Sequence, residues 1–206
     1  MNSDTPELAE QHKDFADLDL VRDYCSEGYR RFTRVLLQEK GETPVNSRFE
    51  SVNKRTRLFV LTSSDELQDI ILKAPRLQRP ITLFRGQGEG DYLKGCTAYT
   101  FWNFTAATSQ EQVAESFGPE NALNGKGFYI EFPCPIGFPM LHTGGAASNR
   151  REYEYIFPKG TTVEIIKVKQ KPIQLHHGMS YHVPVYVCVP TFLDKYSRAS
   201  RKRIKR

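Results

Sequence analysis

Glu152-Tyr153-Glu154 sets two carboxylates one residue apart. On a strand, both glutamates point to one face, and Tyr153 and Tyr155 point to the other. Like charges placed side by side repel, and a purely structural strand would usually alternate them with opposite charge. Glycosyl chemistry uses such a pair: one carboxylate stabilises an oxocarbenium-like centre, and the other positions or deprotonates the nucleophile. The plain alternative is an exposed acidic strand edge. A second feature is Leu83-Phe84-Arg85-Gly86, an arginine at a strand end before glycine. A guanidinium is a planar fork of donors that suits a pyrophosphate, and glycine lets a ligand approach the backbone. An arginine beside a turn is its plain alternative. The third is Phe104-Thr105-Ala106-Ala107-Thr108-Ser109, a strand running into a helix. Its hydroxyls either hold a neighbouring carboxylate or a ribose, or simply start the helix, since Ser109 with Gln112 makes a capping box.

The elements that must position these residues follow from periodicity. Residues 1–17 are polar and acidic and read as frayed. Leu20, Tyr24, Phe32, Val35 and Leu36 recur at helical spacing, predicting a helix over 19–39. Residues 40–56 read as a loop, and 57–61 as a short apolar segment. Ser63 with Glu66 looks like a capping box that starts a helix burying Leu67, Ile70 and Ile71 and stopping before Pro75. Residues 80–86 form the first clear strand. Segments 98–104, 127–132, 153–157, 161–168 and 183–189 are rich in β-branched and aromatic residues and read as strands. One short helix, 110–117, is closed by Gly118. Phe128, Ile130 and Phe132 alternate as one sheet face. Helices first and strands later predict an α+β fold with an antiparallel or sandwich core.

Composition bounds the rest. The 206 residues predict one domain able to bury a core without staples. With 39% apolar and 26% charged residues the balance is that of a soluble protein, and no apolar run is long enough for a transmembrane helix. The start, Met1 to Glu7, lacks the apolar stretch of a secretory signal peptide. Cys25, Cys96, Cys134 and Cys188 lie far apart and read as reduced thiols. His176, His177 and His182 cluster without a fourth ligand nearby, so no metal is expected. The net charge of +5 is a tail property: seven basic residues lie from Lys195 onward, which leaves −2 for residues 1–194. That tail reads as a solvated end, or as a contact to nucleic acid or an acidic surface.

The order of the pieces resembles the mono-ADP-ribosyltransferases of the arginine–serine–glutamate class, which include bacterial toxins and vertebrate ectoenzymes. Arg85-Gly86, a Thr/Ser step after Phe104, Ala114-Glu115-Ser116-Phe117, and Glu152-x-Glu154 before an apolar-Pro-x-Gly run carry the likeness, over roughly residues 18–190. The resemblance implies two packed, mainly antiparallel sheets around an NAD cleft, with N-terminal helices, in a domain over 18–194. It implies NAD as substrate, no metal, and a target protein as acceptor. Arg85 would hold the NAD phosphates and Gly86 would give a backbone contact to the nicotinamide amide. Glu154 would be the catalytic residue at the ribose. Glu152 would engage the acceptor, as in arginine-modifying members. The Gly-rich loop 142–151 falls where the family recognises its target, which assigns Asn149, Arg150 and Arg151 to recognition. The family's Phe-x-Ser-x-Ser departs here to Phe-Thr-Ala-Ala-Thr-Ser. Either Thr108 and Ser109 end the triplet, which puts Ala107 where its first serine would be, or Thr105 takes the first hydroxyl's role and the loop bulges. The expected function is transfer of ADP-ribose to a protein, by an effector, toxin, or phage or viral enzyme delivered into a host cytosol. The rivals are an NAD glycohydrolase and an inactive module binding through Lys195–Arg206.

Overall fold

Helix-period burial organises the first third of the chain. The computed structural model describes residues 10–41, 53–88, 91–118, 127–144, 154–174 and 180–193. Short helices α1 (Lys13–Ala16) and α2 (Asp19–Asp23) lead into a π turn at Tyr24–Gly28 and then α3 (Tyr29–Glu39). Phe32, Val35 and Leu36, three and four positions apart, bury one face of α3. The π turn brings residue 28 against the Asp23 carbonyl, where a Cβ would lie 2.5 Å from the oxygen, so glycine fits there. The expectation of a frayed start fails from residue 10: His12 and Ala16 are buried. Residues 1–9 lie outside the described residues.

The next helix, α4 (Lys54–Lys73), buries Val60, Ser63, Ser64, Leu67, Gln68 and Ile71. Asn53 caps it by accepting from Thr56 N at 2.8 Å, and Pro75 ends it. Ser63 is therefore a mid-helix residue and not the cap expected from its spacing to Glu66. The expected loop 40–56 gives way to helix at Lys54, and its residues 42–52 lie outside the described residues. Gln68 holds the turn at Lys159, between two of the later strands, accepting from Lys159 N at 2.9 Å and donating to Lys159 O at 3.3 Å.

The strands are β1 (Ile81–Gln87), β2 (Ala98–Phe101), β3 (Thr105–Thr108), β4 (Phe128–Cys134), β5 (Leu141–His142), β6 (Glu154–Phe157), β7 (Thr161–Gln174) and β8 (Ser180–Thr191), with α5 (Glu111–Ser116) between β3 and β4. They join in the order β2-β7-β8-β4-β1-β3-β6-β5, antiparallel except for β4 with β8. The expected pair of sheets is thus one hydrogen-bonded sheet of eight. Its two parts meet at a single register pair, Phe84 with Thr108.

The sheet folds over on itself. Strands three places apart in a flat sheet lie about 14 Å apart. Yet Phe132 of β4 and Phe157 of β6 have ring centroids 5.1 Å apart, and Phe101 of β2 lies 6.2 Å from Phe132. The enclosed face carries the main core, including Leu83, Phe128, Ile130, Phe132, Tyr155 and Phe157. Phe104, Leu141 and Ile156 on the other face pack against the helices through Val21, Tyr24, Phe32 and Leu67. The result is the expected α+β architecture. Among the described residues no helix is long and apolar enough to cross a membrane, and all four cysteines are free.

Candidate active site

β3 and β6 pair along their full length: Thr105 with Phe157, Ala106 with Ile156, Ala107 with Tyr155, and Thr108 with Glu154. Opposed residues on antiparallel strands present their side chains to the same face. Thr108 is therefore level with Glu154, and Thr105 lies about 10 Å further along the ladder. Neither Ala107 nor Thr105, the two positions the sequence left open for the first serine, stands opposite the glutamate; the register brings Thr108 there. Thr108 Oγ1 also accepts from Gln110 N at 3.1 Å, turning the chain into α5. Gln110, not Ser109, is the N-cap of α5, and no side chain caps it, so the expected Ser109–Gln112 box does not form. Ser109 sits half-buried at this turn.

The main chain of Glu154 is held from β5. Its carbonyl accepts from Thr143 N at 2.9 Å and from Thr143 Oγ1 at 3.2 Å. Its side chain is half-buried at the start of β6, where a carboxylate can meet both solvent and a bound ligand.

Arg85 lies on β1, next to the one residue that pairs with β3. Main-chain pairing ends at Phe84–Thr108, and Arg85 spans the seam with its side chain: Nη1 donates to Ala106 O at 2.7 Å. The guanidinium also bonds the Tyr92 hydroxyl. Arg85 Nε is buried with no hydrogen-bond partner among the described residues. A buried donor without a partner is a costly group, and an anion is one kind of ligand that would satisfy it.

Gly86 has a packing reason of its own. A Cβ there would lie 2.0 Å from Ala114 O and 2.8 Å from Gly118 N. The space the side chain would need is filled by the backbone of α5, which packs directly on β1.

Sequence reasoning counted Tyr24 only as an apolar helix position. It is buried at the π turn, its rings meet Phe32 and Phe104 edge-on at 5.4 and 5.6 Å, and its hydroxyl points to Phe104 O at 3.5 Å. Burial raises its pKa well above the usual tyrosine value; the charge of Glu154 adds to this, and that of Arg85 opposes it. Tyr24 thus lies within electrostatic reach of both the glutamate and the arginine. Tyr92 was missed as well. It packs edge-on against Phe101 and Phe128, and burial raises its pKa against the pull of Arg85. Neither residue lies in a motif that local spacing could flag.

Glu152, Asn149, Arg150 and Arg151 lie outside the described residues, as do His176, His177 and the tail from Lys195. His182 lies on β8, distant in sequence from the site strands. Among the described residues no group of three or more His, Cys, Asp or Glu is placed to hold a metal. A cavity of about 30 Å³ between α5 and β4, edged by Lys171 and Glu111, has room for water and not for a nucleotide.

No family model and no curated protein sequence matches the chain. Solved structures do. The binary-toxin component BECa of C. perfringens, solved with NADH, superposes with a TM-score of 0.67 at 13% identity, over 92% of this chain and 48% of that one. Exoenzyme S of Pseudomonas aeruginosa, solved with 14-3-3 protein and carba-NAD, gives 0.58 at 12%, over 100% and 92%. The ADP-ribosyltransferase Vis, solved with agmatine, gives 0.61 at 14%, over 96% and 91%.

The chain has the fold of the ADP-ribosylating toxins.

It spans about half the length of BECa and most of exoenzyme S and of Vis. The likeness to this toxin fold takes in the N-terminal helices as well as the sheet, since it covers nine-tenths or more of the chain in all three comparisons.

Proposed function

We propose that the chain cleaves the nicotinamide–ribose bond of NAD and transfers ADP-ribose to an arginine of a target protein, as a toxin or effector acting in another cell. The observation that carries this reading is the three-strand unit β1-β3-β6. It sets Thr108 level with Glu154 and ties the Arg85 guanidinium to the same strand, β3. A carboxylate for a cationic sugar and a fork for a pyrophosphate are what NAD cleavage requires. The neighbours support the ligand class: BECa was solved with NADH, exoenzyme S with carba-NAD, and Vis with agmatine, a guanidine.

In this reading Arg85 holds the diphosphate, and the main chain at Gly86 meets the nicotinamide amide. Thr108 orients Glu154, and Ser109 at the following turn meets the ribose, while Thr105, opposite Phe157, takes no part. The glycosidic C–N bond breaks, and its electron pair leaves on the nicotinamide nitrogen. Glu154 stabilises the resulting oxocarbenium-like sugar. A guanidino nitrogen of the acceptor then bonds to the anomeric carbon and gives up a proton toward Glu152. Asn149, Arg150 and Arg151 are assigned to target recognition, and the charge of the two arginines favours an acidic surface there.

The test is transfer of label from NAD to protein, measured beside NAD hydrolysis. Glu154→Gln removes the charge facing the sugar, a term worth about 3–4 kcal/mol, so both reactions should fall a hundredfold or more. Glu152→Gln should abolish transfer and leave slow hydrolysis. Hydrolysis without transfer in the wild type would favour a glycohydrolase, and no NAD turnover at all would favour a binding module.

A further inference from the structure

His12 is fully buried, although it lies in a stretch that reads as frayed. Both of its ring nitrogens are used. Nδ1 accepts from His142 N at 2.8 Å, so Nδ1 carries no proton. Nε2 must then carry it, and it donates to Pro75 O at 2.9 Å. The ring therefore joins three separate pieces of chain: the N-terminal segment, the exit of α4 and strand β5. It does so only as the neutral Nε2–H tautomer.

The contact continues toward the site. His142 packs its ring edge-on against Tyr155, centroids 4.6 Å apart, and its Nδ1 accepts from Gly144 N at 3.0 Å. The next residue, Thr143, is buried and makes the two hydrogen bonds that hold the Glu154 carbonyl. From the exit of α4 to the glutamate the path is Pro75, His12, His142, Thr143 and Glu154, each contact hydrogen-bonded or peptide-bonded. β5 has only two residues and, among the described strands, pairs only with β6, at the edge of the sheet. A strand so short has little ladder of its own to fix it, and the His12 ring supplies an anchor at its end.

We propose that His12 is a positioning residue for Glu154: by accepting from His142 N it fixes β5, and β5 through Thr143 fixes the backbone of the catalytic glutamate. This rests on the assignment of Glu154 above. The ring touches neither the glutamate side chain nor any group assigned to NAD. Its loss should lower turnover and leave NAD binding, which Arg85 governs, unchanged.

Two variants separate the ring's halves. His12→Asn places an amide oxygen near Nδ1 and keeps the acceptor for His142. His12→Gln places an amide nitrogen near Nε2, keeps the donor for Pro75 and loses that acceptor. Kinetics of NAD hydrolysis on the full chain, beside thermal unfolding, should give His12→Gln a kcat about tenfold lower with KM for NAD within twofold. His12→Asn should keep kcat within threefold of wild type at the same melting temperature as His12→Gln. Equal kcat in the two variants, or a loss that follows melting temperature alone, would overturn the role. Amide exchange gives a readout independent of activity: His142 N–H should exchange faster in His12→Gln than in His12→Asn, and equal rates would overturn it. A wild type with no NAD turnover would refute the functional reading instead, and exchange would still decide whether His12 anchors β5.

Discussion

Gly86 offers a measurement that separates a packing role from a ligand role at one position. Adding a single Cβ there places it 2.0 Å from Ala114 O, 2.8 Å from Gly118 N and 2.9 Å from Phe117 C. Carbon contacts settle near about 3.5 Å, so the first clash is roughly 1.5 Å too deep. All three atoms belong to backbone at the end of α5, which cannot swing aside as a flexible side chain would. The helix must lift from β1 or the strand must bend. Overpacking of this kind costs typically 1–3 kcal/mol, and a rigid backbone clash puts Gly86→Ala at about 3 kcal/mol. For a chain of this length each kcal/mol moves the melting temperature by about 2–4 °C, so a fall of about 6–12 °C is expected. Circular-dichroism melts of wild type and Gly86→Ala, each with and without NAD, make the comparison. A melting temperature within 2 °C of wild type, together with lost NAD affinity, would refute the packing reason. It would show that the glycine serves the ligand alone.

Thr108→Val should lower NAD hydrolysis about tenfold, the worth of one hydrogen bond of about 1–2 kcal/mol, while Thr105→Val leaves it within twofold; equal effects in the two would contradict the register. In acid, the two buried histidines should cost stability. The pKa of His142 is pushed down to about 4, first by burial and then by His12, and that of His12 is lowered by burial against its Pro75 contact. Both rings are held neutral in the fold and charge more readily in the unfolded chain, so their contribution is full above about pH 6.5 and is lost as pH falls toward 4. For His142 the shift corresponds to roughly 3 kcal/mol. Urea midpoints should fall over that window, less steeply in His142→Asn, and an NMR titration of His142 near 6.5 would contradict this.

Some of this architecture was legible from residue spacing. The alternation Phe128, Ile130, Phe132 is a fully buried strand face, and Phe32, Val35, Leu36 is a buried helix face. Both signals are local, and burial on one side of a regular element is what periodicity reports. The errors arise where a local pattern meets a distant partner. Ser63-x-x-Glu66 has the spacing of a cap, but four residues cannot show that Asn53 already caps the same helix ten positions earlier. Ser64 tolerates its buried place in α4 because its hydroxyl donates to Leu61 O and accepts from Lys159 Nζ, 95 positions away. His12 sits in a polar stretch, and its burial depends on partners 63 and 130 positions distant. Residue spacing ends β7 at 168, short of its end at Gln174, because Lys169, Gln170, Lys171 and Pro172 carry no apolar alternation to signal a strand.

The candidate site shows the same division. Arg85 and Glu154 were legible as residue types at strand ends, and the extra residue in Phe-Thr-Ala-Ala-Thr-Ser left the intervening hydroxyl undecided. Register sets Thr108, and not Thr105, opposite Glu154, and a strand slipped by one residue would turn every side chain to the other face. β3 is locked to β6 at four consecutive positions and to β1 at one. The alignment of Thr108 with Glu154 is therefore a property of main-chain pairing, robust to side-chain change on either strand. The alignment of Arg85 is a property of its own side chain, through Ala106 O and Tyr92. In the proposed reading, the arm assigned to the phosphates can adjust by torsion as a ligand enters, while the pair assigned to the ribose stays fixed. Such an asymmetry suits a reaction in which the diphosphate is only held and the sugar carbon must be met in one geometry.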